Sequence, residues 1–119
     1  LDFQLSNEPE YSSLKLYQNK KMKKSNSIKV NTISLNDLLK KYNAPKNIDY
    51  LSIDTEGSEF EILKSFDFSK YNISIITCEH NYSLDRKNIF NLLVRNGYER
   101  VYSGLSRWDD WYVKKSFKE

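Results

Sequence analysis

The sequence predicts an α/β fold with a mostly parallel sheet and an antiparallel C-terminal hairpin strand. Three observations carry this. Short apolar runs at residues 28–33, 48–54 and 72–78 read as strands. Segments with helical spacing separate them, and that alternation implies parallel strands joined by covering helices. Two final runs, at 98–103 and 111–115, are joined by a loop short enough for an antiparallel hairpin.

Each element has a local reason. Residues 1–27 are dominated by Asn, Ser, Lys and Glu and read as irregular. In 28–33, Ile28, Val30 and Ile33 alternate with Lys29 and Asn31, as in a half-buried strand. Ser34 then opens Ser-Leu-Asn-Asp, a helix N-cap with an acid three residues on. Leu35, Leu38 and Leu39 share a face of that helix, which ends near Tyr42–Asn43 before Pro45. Residues 48–54 read as a strand buried on both faces, as a central parallel strand would be. Gly57 is free to take positive φ in the turn after it. Residues 59–66 form a short helix with Phe60, Ile62, Leu63 and Phe66 toward the sheet. Ile73, Ile75 and Ile76 favour a strand. Asp85 caps the next helix, in which Ile89, Leu92 and Leu93 keep helical spacing, and Gly97 ends it.

The bulk numbers bound the function. At 119 residues the chain is one domain at most. With 39% hydrophobic and 29% charged residues, its composition is that of an ordinary soluble protein. A single cysteine, Cys78, allows no intrachain disulfide and suits a reducing, cytoplasmic setting. No apolar run reaches the ~20 residues of a membrane span, and no signal peptide is legible. The formal charge is +3, part of it from Lys20, Lys21, Lys23 and Lys24. A basic cluster can touch nucleic acid or anionic lipid, but a solvated loop is the favoured reading. Aromatic residues do not interleave with these lysines as a stacking platform requires, so no nucleic-acid partner and no membrane partner is expected.

Chemistry points to two strand ends. In a parallel sheet the C-terminal tips of neighbouring strands lie on one edge, where open α/β sheets bind ligands. One tip carries Asp54, Thr55 and Glu56, and the next carries Glu79, His80, Asn81 and Tyr82. If the strands are adjacent, the tips are about 4.8 Å apart. Asp54, Glu79 and Asn81 are oxygen donors suited to a divalent cation such as Mg²⁺ or Mn²⁺. His80 is the group whose ordinary pKa lies near neutrality, so it is a candidate base, as is Asp54. Structural readings stand beside these. Asp54 can simply cap the following helix, Glu56 and Glu59 can be partners of its dipole, and His80 can be a structural histidine. Glu61 faces solvent. Arg107, Trp108, Asp109 and Asp110 read as hairpin loop, and Tyr82 either stacks on a ligand or packs.

Two segments carry a family resemblance. VNTISLNDLL at 30–39 and IDYLSIDTEGSE at 48–59 resemble the FkbM family of S-adenosylmethionine-dependent methyltransferases. In that family a V-x-T-x-x-L-D-D-L-L segment leads to I-D-x-L-K-I-D-x-E-G-x-E. Cys78-Glu79-His80-Asn81-Tyr82 and Asn96-Gly97-Tyr98 are similar to the family's next strand tip and helix exit, and Asp109 to Val113 resembles its last strand. The resemblance covers about residues 28–115. Ser52 departs from it, standing where the family often has Lys.

The resemblance implies a partial class I methyltransferase (Rossmann-like) sheet over residues 28–119. It implies methyl transfer from S-adenosylmethionine to a hydroxyl of a small molecule or glycan, usually a sugar or natural product. Thr55, Glu56 and Gly57 then lie on the cofactor side, with Asp54 and His80 as catalytic candidates. A metal on Asp54, Glu79 and Asn81 is implied by analogy with other class I O-methyltransferases. The family's glycine-rich cofactor loop and its ribose-binding acid lie upstream of the matched segments. The chain, which starts at Leu1, is therefore expected to be a C-terminal portion that binds the cofactor weakly by itself. Its 48–54 strand is then expected to be a bare edge, open to self-association, and the 28–33 strand to dock out of its usual place. A non-catalytic interaction module is the alternative class.

Overall fold

The computed structural model describes residues 1–6, 12–14 and 25–117. The Lys20–Lys24 cluster lies outside the described residues. Two sheets are present. A small antiparallel sheet holds β1 (Asp2–Ser6), β2 (Ser13–Leu14) and β3 (Ser25–Lys29), in the order β2-β1-β3. The larger sheet holds β4 (Asn47–Ile53), β5 (Asn72–Glu79), β6 (Tyr98–Val101) and β7 (Asp109–Lys114), in the order β4-β5-β7-β6. The helices are α1 (Leu35–Lys41), α2 (Glu59–Ser65) and α3 (Asp85–Arg95), and a 3₁₀ turn follows β7 at Lys115–Phe117.

The segment at 1–27, read as irregular, therefore contains strands. Polar composition hid them because their partners are distant. Phe3 pairs with both Leu14 and Ile28, and the Leu1 ammonium donates to Val30 O at 3.1 Å. The strand expected at 28–33 is displaced to Ser25–Lys29, since its ladder runs against β1. It joins the small sheet and not the larger one.

The larger sheet is mixed, which corrects the expectation of a mostly parallel one. β4 and β5 are parallel, whereas β7 is antiparallel to both β5 and β6. The expected hairpin of β6 and β7 is present. It folds back so that β7 sits between β5 and β6, and this places an antiparallel strand inside the sheet. β4 pairs with β5 alone among the described residues, so it is an edge strand. Its face opposite the helices is open: Tyr50 is 55% exposed and its hydroxyl meets Thr77 Oγ1 at 2.7 Å. The reading of this strand as buried on both faces is corrected accordingly.

The core lies on the other face. Leu63 of α2 and Ile89 and Leu93 of α3 pack on Ile53, Ile76, Cys78, Tyr98 and Tyr112. Full burial of an aliphatic side chain of this size contributes roughly 1.5–3 kcal/mol. The Tyr98 hydroxyl donates to Ile73 O at 2.8 Å, so its burial leaves no polar atom unmade. Ser34 caps α1 as expected, its Oγ accepting from Asp37 N–H at 3.1 Å. The Asn36 side chain ties α1 to the end of α2, donating to Ser65 O and accepting from Asp67 N–H. Asp85 does not cap α3: Leu84 occupies that position, and Asp85 lies in the first turn, accepting from Asn88. Gly97, at φ +86°, ends the helix in the left-handed region. No described helix is long and apolar enough to cross a membrane.

Candidate active site

The parallel pairing of β4 with β5 brings the two tips together. Ile53 stands opposite Cys78, so Asp54 and Glu79 leave the sheet side by side. Carboxylate oxygens of Asp54, Glu56 and Glu79 all lie within 4.8 Å of one another. Asp54 and Glu79 of the expected cation set meet here, and the third carboxylate is Glu56. Asn81 lies beyond in a turn, at φ +40°, its N–H reaching Trp108 O at 3.3 Å.

The loop that delivers Glu56 has a built geometry. Glu56 and Gly57 take φ of +56° and +116° in succession. Glycine adopts this region freely, but a residue with a Cβ pays roughly 1–2 kcal/mol for it. Glu59 holds the loop in place. It is buried, at 5% exposure, and its carboxylate accepts from Thr55 N–H (2.7 Å), Thr55 Oγ1 (2.9 Å) and Gly57 N–H (3.1 Å). Ser58 Oγ donates to Thr55 Oγ1 at 2.8 Å, which completes the clamp. Reading Glu59 as a helix-dipole partner missed this role. The signal was an acid two residues after a glycine, placed to turn back on the loop's own N–H groups.

Crowding of like charge sets the electrostatics of the tip. Partial burial raises the Glu79 carboxyl to about 8, and the neighbouring Asp54 and Glu56 carboxylates add to the shift. A hydrogen bond with Asp54 acts in the same direction, so Glu79 keeps a proton that is hydrogen-bonded to Asp54. Among the described residues, no lysine or arginine forms an ion pair with Asp54 or Glu79.

A cavity of about 710 Å³ opens beside this tip. Phe3, Leu14, Ile28 and Val30 give it an apolar wall, and Asp54, Thr55, Glu56 and Ser58 form the polar side. The small sheet thus faces the strand tip across a space of ligand size.

His80 is placed differently. It is 3% exposed, its Nδ1 accepts from Tyr82 N–H at 2.9 Å, and its Nε2 is buried 3.8 Å from Asp110 Oδ1. Accepting at Nδ1 fixes the neutral ring with its proton on Nε2. Burial lowers its pKa and so favours that neutral form. Both ring nitrogens are thus turned into the protein. Tyr82 is exposed, packs edge-on against the His80 ring and carries the Arg86 guanidinium over its face.

Asp110 was read as hairpin loop, yet it is 1% exposed on β7. Arg86 Nε and Nη2 donate to it at 2.8 Å each, and Arg100 Nη1 reaches it at 3.4 Å. These guanidiniums, Arg86 above all, hold its carboxyl below the usual range in spite of burial. Burial also pushes the Cys78 thiol well up, which keeps it an inert core residue.

The sequence model of the methyltransferase FkbM domain family matches residues 2–111. No curated protein and no solved structure matches the chain.

Proposed function

The chain belongs to the FkbM methyltransferase domain family, and on that premise we propose that the β4–β5 tip is the acceptor side of an O-methyl transfer site, acting on a hydroxyl of a sugar or natural product. The observation that carries this reading is the meeting of Asp54 and Glu56, which line the 710 Å³ cavity, with Glu79 beside them.

S-adenosylmethionine, when bound, supplies a methyl group made electrophilic by a sulfonium. The residues present fit such a donor in charge and size: carboxylates suit its cationic centre, and the apolar wall suits its adenine. Thr55, Glu56 and Gly57 would form the polar side of its site. Gly57, Gly97 and Gly104 stand apart and form no glycine-rich cofactor loop, so this wall contributes only part of the binding.

Asp54 is the proposed proton acceptor for the hydroxyl. It is exposed at the tip, within reach of a ligand in the cavity. Its carboxylate would take the hydroxyl proton as the donor's methyl–sulfur bond gives way to the new oxygen–carbon bond, the donor leaving as a neutral thioether. Glu79 sets the charge beside it, because its own proton, hydrogen-bonded to Asp54, leaves only near pH 8. His80 acts as a positioning residue: its ring fixes the Tyr82 backbone and abuts Asp110, and so shapes the β5 exit. A divalent cation is a second way to relieve the same crowding, held by Asp54, Glu56 and Glu79. It would displace the Glu79 proton, and the rise of activity with pH would then shift to lower pH when Mg²⁺ or Mn²⁺ is added.

The test is methyl transfer from labelled S-adenosylmethionine to a panel of sugar hydroxyls. Asp54→Asn is expected to lower kcat by roughly 10²–10⁴-fold, with little change in KM. A variant that retains full turnover would exclude Asp54 as the base.

A further inference from the structure

A second pocket lies farther along the same sheet edge. Its volume is about 660 Å³, and Ser83, Arg86, Lys87, Phe90, Arg100 and Ser103 line it. β5 and β6 both flank β7 and run in the same direction, so Ser83 follows one tip and Ser103 the other. Two strand spacings, roughly 10 Å, separate those tips.

The pocket is built to be positive. Three cations line it, and the carboxylate that acts on Arg86, Asp110, is not in its wall but buried. Asp110 occupies Nε and Nη2 of Arg86 and Nη1 of Arg100. Among the described residues, Arg86 Nη1 and Arg100 Nε and Nη2 have no hydrogen-bond partner. The Arg100 guanidinium is stacked over the Phe90 ring at 4.8 Å, and both arginine side chains keep 30% of their surface exposed. Asp110 thus fixes two forked donors in place without neutralising the pocket. Fixed, partly desolvated guanidiniums with spare N–H groups recognise planar or tetrahedral oxyanions. Lys87 adds a third charge, and the two serines add hydroxyl donors.

We propose that this pocket binds an oxyanion, a carboxylate or phosphate, carried by the methyl acceptor. The inference rests on the acceptor reading of the β4–β5 tip and narrows it to an acidic sugar or sugar phosphate. Its charged group would sit between the β5 and β6 tips, across the β5 exit from the hydroxyl that is methylated. The neutral pair of His80 and Tyr82 lies between the two sites on the β5 exit.

The experiment is an amide-resolved NMR titration of the full chain, without S-adenosylmethionine. The probes are inorganic phosphate and D-glucuronate, with D-glucose as the neutral control. Saturable shifts confined to Ser83, Lys87, Arg100 and Ser103 are expected for both anions and not for glucose. Lys87→Ala and Arg100→Gln are each expected to weaken anion binding roughly tenfold. Lys87 is exposed, so K87A tests the claim even if R100Q disturbs the fold. Shifts spread over unrelated surface lysines, an equal response to glucose, or binding unchanged in K87A would overturn the proposal. Phosphate that binds while every hydroxyl panel fails would instead contradict the transfer reaction. Shifts with glucuronate alone would assign the acceptor's charged group as a carboxylate, and shifts with phosphate alone as a phosphate.

Discussion

Two groups of carboxylates stand on one sheet edge and meet opposite fates. Asp110 is buried almost completely, and two guanidiniums compensate it. Glu79 on the adjacent strand and Asp54 one strand farther are crowded by further carboxylates, and no described lysine or arginine pairs with them. The first arrangement holds a carboxyl below its usual range, and the second raises one to about 8. Burial acts in the same direction on both, so the sign of the surrounding charge decides the outcome. A compensated acid is an anchor. An uncompensated one keeps a proton, or a cation, available for chemistry.

The largest effect that could break this contrast is expected at the anchor. Asp110→Ala leaves Arg86 and Arg100 without their partner and is expected to destabilise the chain by about 3 kcal/mol, read by urea unfolding. The acid side of the same statement has a fixed sign. The folded Asp110 carboxyl lies below its unfolded value, so its contribution is present above that unfolded value and is lost as pH falls through the folded one. A cost within about 0.5 kcal/mol, the range of ordinary surface changes, would make Asp110 dispensable.

A smaller loss is expected where the two regions share a device, a buried acid with its hydrogen bonds made. Glu59→Ala removes the acceptor for Thr55 and Gly57 and is expected to cost about 2 kcal/mol. Amide exchange at Thr55 and Gly57 should accelerate well beyond that in β5. Unchanged protection there would mean that the loop holds its shape without Glu59.

At the crowded tip the sign reverses. Glu79→Gln should stabilise the chain, because it removes a carboxyl that folding forces to keep its proton. The folded Glu79 pKa of about 8 lies above the ordinary 4.5. Between those values the folded chain binds a proton that the unfolded chain has released, so native stability falls as pH rises through that window. The advantage of the variant should therefore grow from pH 5 to pH 8, in thermal melts at constant ionic strength. An advantage that is flat with pH would mean that Glu79 holds no such proton.

Local chemistry made much of this legible in the sequence. The Ser34 cap, the Gly57 turn, the Gly97 helix end and the juxtaposition of Asp54 with Glu79 all follow from short-range pattern and strand order. Pairing between distant segments was not legible. Nothing local says that β7 inserts between β5 and β6, or that Phe3 finds both Leu14 and Ile28. The same blindness hid Asp110, whose importance comes from Arg86 and Arg100, 24 and 10 residues away. It hid His80 as well, since proximity to neutrality says nothing about which ring nitrogen is already engaged.

The most direct measurement is a ¹³C NMR titration of the side-chain carboxyls of the full chain. Glu79 is expected to titrate near 8 and to move down toward its ordinary value in Asp54→Asn, while Asp110 titrates below the usual carboxylate range. A wild-type Glu79 that titrates near 4.5 would contradict the account, because the β4–β5 tip would then hold no retained proton to distinguish it from ordinary surface acids.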